Sequence, residues 1–107
     1  MTMNKGNLLN DIPVDLTSEV FEVLAQNKHV EIERIISKGH TSPDTGWYDQ
    51  DRDEWVMVIQ GKARLEFEGG PVVPLEAGEY VNIPAHRRHR VIETSVTPET
   101  VWLAIHY

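Results

Sequence analysis

The sequence predicts an all-β chain of the sandwich or barrel class, and two observations carry that prediction. From His29 onward, short segments that are apolar, or that alternate apolar with polar residues, recur at roughly even spacing. Gly or Pro stands between most of them, as expected of tight turns between strands. A length of 107 residues suits one domain, 1–107, with an N-terminal arm and helix over 1–28 and a β-barrel over 29–107.

Met1 to Asp15 is polar, is broken by Pro13, and reads as an arm or loose leading segment. Thr17 or Ser18 can cap a short helix, with Glu19 and Glu22 in its first turns and Val20, Phe21 and Leu24 along one side. A strand is the rival reading, because Val20 and Phe21 also suit a sheet. Asn27-Lys28 ends this element. His29 to Ser37 then alternates as a half-buried strand, with Val30 and Ile32 set between His29, Glu31 and Glu33. Gly39 to Asp53 is a polar loop containing Pro43 and Gly46. Strands follow at Glu54 to Ile59, Ala63 to Phe67, Val72 to Leu75, Tyr80 to Ile83, His89 to Glu93 and Val101 to Tyr107. Gly61, Gly69-Gly70, Gly78 and Pro84 to Arg88 supply turns among them.

Composition narrows the function classes. With no cysteine, a disulfide framework, thiolate metal sites and cysteine nucleophiles are excluded together. Seventeen acidic residues against ten basic ones give a net charge of -7, the wrong field for a phosphate backbone, so nucleic acid is not an expected partner. No apolar run approaches the roughly 20 residues that a spanning helix needs. Met1 to Asn10 lacks a hydrophobic region and a small-residue cleavage site. The expectation is a cytoplasmic protein without a membrane partner.

Two stretches carry the chemistry. In Glu54-Trp55-Val56-Met57-Val58-Ile59-Gln60-Gly61 an acid is followed by six residues and a glycine. In Gly78-Glu79-Tyr80-Val81-Asn82-Ile83-Pro84-Ala85-His86-Arg87-Arg88-His89 a glycine is followed by five residues, a proline and, five positions later, a histidine. Together they resemble the two motifs of the cupin superfamily, in the form of its small single-domain members with the type-2 conserved barrel. The resemblance covers about half the chain. It implies a double-stranded β-helix, that is, a jelly-roll barrel.

In that family the first motif supplies two histidines and a glutamate, the second supplies one more histidine, and the four hold iron, manganese, zinc, nickel or copper. Carried onto this chain, Glu54 and His89 match. The family's histidine pair falls on Tyr48 and Gln50 at one spacing, or on Trp47 and Asp49 at the other, and a glycine of the second motif is replaced by His86. The first motif is therefore degenerate. Glu54 and His89 could be joined by Asp49, with Gln50 offering a carbonyl oxygen, and one histidine with two carboxylates would make a harder site suited to Mn²⁺ or Fe²⁺. Without a metal, Glu54 and His89 would form a proton-transfer pair facing an organic ligand.

Other residues have a structural reading beside the functional one. Asp49, Asp51 and Asp53 form an acidic run of the kind usually found on solvated loops. Arg87, Arg88 and Arg90 balance it, or bind an anion at the barrel rim. His86 is a rim histidine or a pocket group. His106 shares a strand face with Trp102 and Ala104; if that face turns inward His106 joins the pocket, and otherwise it is an exposed strand end. Trp47 and Tyr48 stand on a polar loop, where an aromatic pair would wall the pocket and narrow its mouth. Trp55 suits core packing.

Two functions follow from the resemblance. One is a metal-dependent enzyme, a dioxygenase or isomerase, acting on a small polar molecule. The other is a non-catalytic module that binds or senses a small ligand without metal. Sheet edges and the N-terminal arm make a homodimer the expected assembly.

Overall fold

A computed structural model describes residues 3–107; the first two residues of the expected arm lie outside the described residues. The strands are β1 (Val20–Gln26), β2 (Glu31–Ser37), β3 (Glu54–Gln60), β4 (Lys62–Phe67), β5 (Val72–Glu76), β6 (Tyr80–Ile83), β7 (His89–Thr94) and β8 (Thr100–His106). They form a five-stranded sheet in the order β1-β2-β8-β3-β6 and a three-stranded sheet in the order β5-β4-β7. Every pairing is antiparallel. The all-β, double-sheet expectation holds.

The expected helix beginning at Thr17 or Ser18 does not form. Its residues are β1, hydrogen-bonded along β2 with Phe21 opposite Ile35 and Val23 opposite Glu33. Asn27 decides the matter locally. Its Oδ1 accepts hydrogen bonds from the His29 and Val30 amides, both at 2.8 Å, and its own N–H donates to the Val30 carbonyl at 2.9 Å. That closes a hairpin, and a helix of so few residues could not compensate its nucleation cost against a ready-made neighbouring strand.

Alternation sorts the strands into two faces. In β3 Glu54, Val56 and Val58 are buried while Trp55 and Met57 face outward, where Trp55 packs on Tyr80 with ring centroids 5.2 Å apart. Val56, Val58, Leu65, Phe67, Leu75, Ile83, Trp102 and Ala104 make the core between the sheets. Gly61 links β3 to β4 at φ +79°, and a Cβ there would stand 2.4 Å from the Ser95 hydroxyl, so only glycine fits this turn.

The leading segment is more firmly held than an arm. Arg34, buried on the outer face of β2, donates to the carbonyls of Leu8, Asn10 and Asp11 and to the Glu22 carboxylate. A guanidinium has donors enough to tie an irregular segment whose own amides and carbonyls lack sheet partners.

Candidate functional site

A cavity of about 130 Å³ lies between the sheets. β2 contributes Glu33 and Ile35, β3 contributes Glu54 and Val56, and β8 contributes Trp102 and His106. Ile83, Leu65 and Val91 complete an apolar wall, and His89 closes it from β7. Glu19 and Phe21 flank it from the uncovered side, where the five-stranded sheet extends beyond the three-stranded one.

The 46–53 loop supplies the last polar group. Tyr48 and His89 form an isolated antiparallel bridge: the Tyr48 amide donates to the His89 carbonyl at 2.8 Å, and the His89 amide donates back at 3.2 Å. The His86 amide donates to the Gln50 carbonyl at 2.8 Å. The loop is therefore locally strand-like, and side chains alternate along it. Tyr48 and Gln50 face the cavity, whereas Trp47 and Asp49 face away.

That alternation decides between the two possible spacings. Of the residues expected at the site, Glu54, His89, Gln50, Tyr48 and His106 share the cavity. Asp49 and His86 do not: they bond each other at 2.8 Å on the exposed rim, with Arg88 4.0 Å from the same carboxylate. Trp47 lies outside as well, its ring under the Arg90 guanidinium at 4.4 Å. For His106 the inward reading is the observed one, because its face of β8 carries the core residues Trp102 and Ala104.

His89 is oriented by what its two nitrogens meet. Nδ1 lies 2.9 Å from the Arg87 carbonyl, which can only accept, so Nδ1 carries a proton and donates it. Nε2 then points at Glu54, with 3.6 Å between nitrogen and carboxylate oxygen. That is an ion-pair distance, too long for a firm hydrogen bond. Burial alone would lower the His89 pKa, but Glu54 and the Arg87 carbonyl together outweigh it and the net direction is upward. The ring also packs against Tyr48 at 5.7 Å and Phe67 at 6.0 Å. Close by on the cavity wall, Gln50 Oε1 is buried and has no hydrogen-bond partner among the described residues.

A second couple faces the same cavity. His106 Nε2 lies 2.9 Å from Glu33 Oε1, and this hydrogen bond raises the imidazole pKa against the opposing effect of burial. Glu31 is near enough that ligand atoms of Glu31, Glu33 and His106 lie within 4.8 Å of one another. Sequence reasoning singled out neither Glu33 nor Glu19 as a site residue. The signal was the placement of Glu31, Glu33 and Ile35 on one strand face, and only the partner sheet shows which way that face turns.

Two antiparallel sheets enclosing an inward Glu and His define a cupin barrel, and the family comparison agrees. Residues 34–106 match the model of the Cupin domain family, and the chain belongs to that family. It is similar over 97% of its length, at 46% identity and a TM-score of 0.93, to 97% of a Ralstonia eutropha JMP134 protein provisionally named a mannose-6-phosphate isomerase. A cupin superfamily protein from Desulfitobacterium hafniense DCB-2 shares the fold at 18% identity and a TM-score of 0.77, with 99% of this chain and 93% of that one aligned. An RmlC-like cupin from Desulfovibrio desulfuricans does so at 22% identity and 0.75, over 98% and 97%. No curated protein matches the chain. Among the described residues no helix is long and apolar enough to cross a membrane.

Proposed function

We propose that the protein is a metal-assisted isomerase acting on a small polar substrate with a carbonyl next to a hydroxyl-bearing carbon. The observation that carries this reading is a set of polar groups left open on an otherwise apolar cavity: Gln50 Oε1, with no partner among the described residues, shares the lining with a His89 nitrogen and a Glu54 oxygen 3.6 Å apart. Leaving a buried acceptor unpaired costs about 1–3 kcal/mol, which a bound cation or substrate would recover. One imidazole, one carboxylate and one amide oxygen suit Mn²⁺ or Fe²⁺ and leave positions free for substrate. An ion held by Gln50, Glu54 and His89 would supply Lewis acidity toward a substrate oxygen. The Nδ1 bond from His89 to the Arg87 carbonyl would fix the ring's orientation and leave Nε2 free to bind the ion.

The remaining couple is suited to moving the proton. Glu33 takes the proton from the hydroxyl-bearing carbon, while His106, whose pKa the Glu33 hydrogen bond raises, donates a proton to the carbonyl oxygen and then recovers one from the neighbouring hydroxyl. The proton returns to the neighbouring carbon as carbonyl and hydroxyl exchange places, so the reaction is redox-neutral and needs no co-substrate. That is why isomerisation is favoured over dioxygenation, and the name given to the Ralstonia protein points the same way.

The test is proton NMR in D₂O with Mn²⁺-loaded protein and a panel of aldoses and ketoses. Deuterium should enter the carbon next to the carbonyl, and His89→Ala should abolish both this and metal retention. Stoichiometric metal with no exchange into any member of the panel would leave the second reading, a non-catalytic ligand-binding cupin. The replacement of a His pair by Tyr48 and Gln50 favours that alternative.

We further place the protein in the cytoplasm, where a cysteine-free chain needs no oxidising compartment. We also infer a homodimer through β1, an edge strand whose Phe21, on the cavity lining, and Val23 are 56% and 52% exposed. Light scattering that returned only a 12.2 kDa species at micromolar concentration would exclude the dimer.

A further inference from the structure

The charge around the cavity restricts what can occupy it. Glu19, Glu33 and Glu54 line it, and no Lys or Arg does so among the described residues. Three rim arginines are already engaged. Arg88 is paired with Glu68 at 3.0 Å, and Arg90 with Glu66 at 2.6 Å. Arg87 donates to the Glu68 carbonyl and lies over the Phe67 ring at 5.1 Å. Arg52 lines a neighbouring surface recess together with Gln50 and His106, where Glu31, Asp49 and Asp51 outnumber it three to one.

A phosphate ester needs guanidinium forks, an ammonium group or a helix N-terminus to replace its hydration. The cavity offers none of these. A divalent ion would bring two positive charges against three carboxylates, and His106 is already committed to Glu33. The chain's net charge of -7 adds a field of the same sign. Hydroxyl groups, by contrast, can both donate to these carboxylates and accept from His106.

We propose that the cavity selects an uncharged polyhydroxy carbonyl compound, an unphosphorylated aldose or ketose, and rejects the phosphate ester of the same sugar. Glu19 and Glu33 set this preference. The inference rests on the isomerase reading above and departs from the substrate in the Ralstonia protein's name.

The test reads the cavity's potential without depending on turnover. With Trp47 and Trp55 changed to Phe, fluorescence comes from Trp102, which lines the cavity. Mn²⁺-loaded protein is titrated at constant ionic strength with acrylamide, caesium and iodide. Acrylamide should quench, caesium should quench severalfold better than iodide, and Glu19→Gln with Glu33→Gln should narrow that gap. Failure of acrylamide to quench would mean that no open pocket exists and would overturn the isomerase reading itself. Quenching by acrylamide with iodide equal to or better than caesium would overturn the charge inference alone. Calorimetry with mannose and mannose 6-phosphate completes the test. An ester that binds as tightly as the sugar, or more tightly, overturns the proposal; an ester at least about tenfold weaker (1.4 kcal/mol) supports it; and binding of neither overturns the sugar class, leaving anion rejection to the quenching result.

Discussion

The two imidazole–carboxylate couples of the cavity are built from the same chemistry and left in different states. His106 and Glu33 close on each other at 2.9 Å, whereas His89 and Glu54 stand 3.6 Å apart, and the Gln50 oxygen on the same cavity wall has no partner among the described residues. The difference comes from the elements that carry them. His106 and Glu33 belong to adjacent strands of one sheet, where Glu33 lies opposite Ala104 and reaches one diagonal step to His106. His89 and Glu54 belong to opposite sheets, and His89 is pinned through Nδ1 before Nε2 can approach its partner. A couple completed within one sheet can hold a proton. A couple kept apart across the barrel leaves room for something between.

If that contrast is functional, exchanging the roles should be costly and selective. Glu33→Gln is expected to lower turnover by about 10²–10⁴-fold while metal content stays at the wild-type level. Elemental analysis beside the D₂O exchange assay checks this. Metal lost from Glu33→Gln, rather than from His89→Ala, would reverse the assignment of the two couples.

Gln50→Leu sharpens the same distinction. Removing an amide that a metal uses should weaken Mn²⁺ binding by about 10–100-fold, as loss of a supporting group around a metal does. Removing an acceptor that nothing in the fold satisfies should not harm the metal-free protein, and its stability should stay level or rise by about 1 kcal/mol. Chemical denaturation in the presence and absence of Mn²⁺ separates these outcomes. A large loss of metal-free stability would mean that the Gln50 side chain supports the fold.

The closed couple also makes a prediction about pH. Glu33 raises the His106 pKa, so the folded state holds the proton more tightly than the unfolded chain does. The resulting stabilisation is complete below the ordinary imidazole value near 6.5 and is lost as pH rises through the higher folded value. In an NMR titration the His106 ring should titrate above that ordinary value, and Glu33→Gln should bring it back down. An unmoved titration in the variant would remove Glu33 as the cause.

How much of this was legible in the sequence depended on whether local pattern or a distant strand made the decision. Alternation and turn residues sufficed for β3 to β8, and the spacing from Glu54 to Gly61 and from Gly78 to His89 pointed to the barrel. For β1 the local signal favours a helix over the rival strand, because Thr17, Ser18 and Glu19 make a good N-terminus, while the hairpin that forms instead depends on Asn27 and on β2 being present. Which of Gln50 and Asp49 faces inward was undecidable from spacing alone, since the Tyr48–His89 bridge joins residues far apart in the chain. Glu33 is silent in the sequence for a related reason: an acid on a half-buried strand lines a cavity only once the opposite sheet covers that face.

The rim offers the smallest effect and a contrast with the cavity, because its Asp49–His86 and Arg88–Glu68 pairs are already made at exposed positions. Asp49 bonds His86 at 2.8 Å and raises its pKa, yet both side chains are largely in solvent, where such pairs contribute little. His86 also adopts φ +66°, a left-handed conformation at the position where the family motif has glycine. Losing the Asp49 bond and relieving the backbone therefore pull in opposite directions. His86→Gly should be neutral or slightly stabilising, because the freed backbone offsets the lost bond. His86→Ala loses the bond and keeps the strain, so its melting temperature should fall below that of both wild type and His86→Gly. Neither change should alter metal content or turnover. Loss of metal in either variant would carry the rim into the site and erase the distinction between the solvated pairs outside and the open couple within.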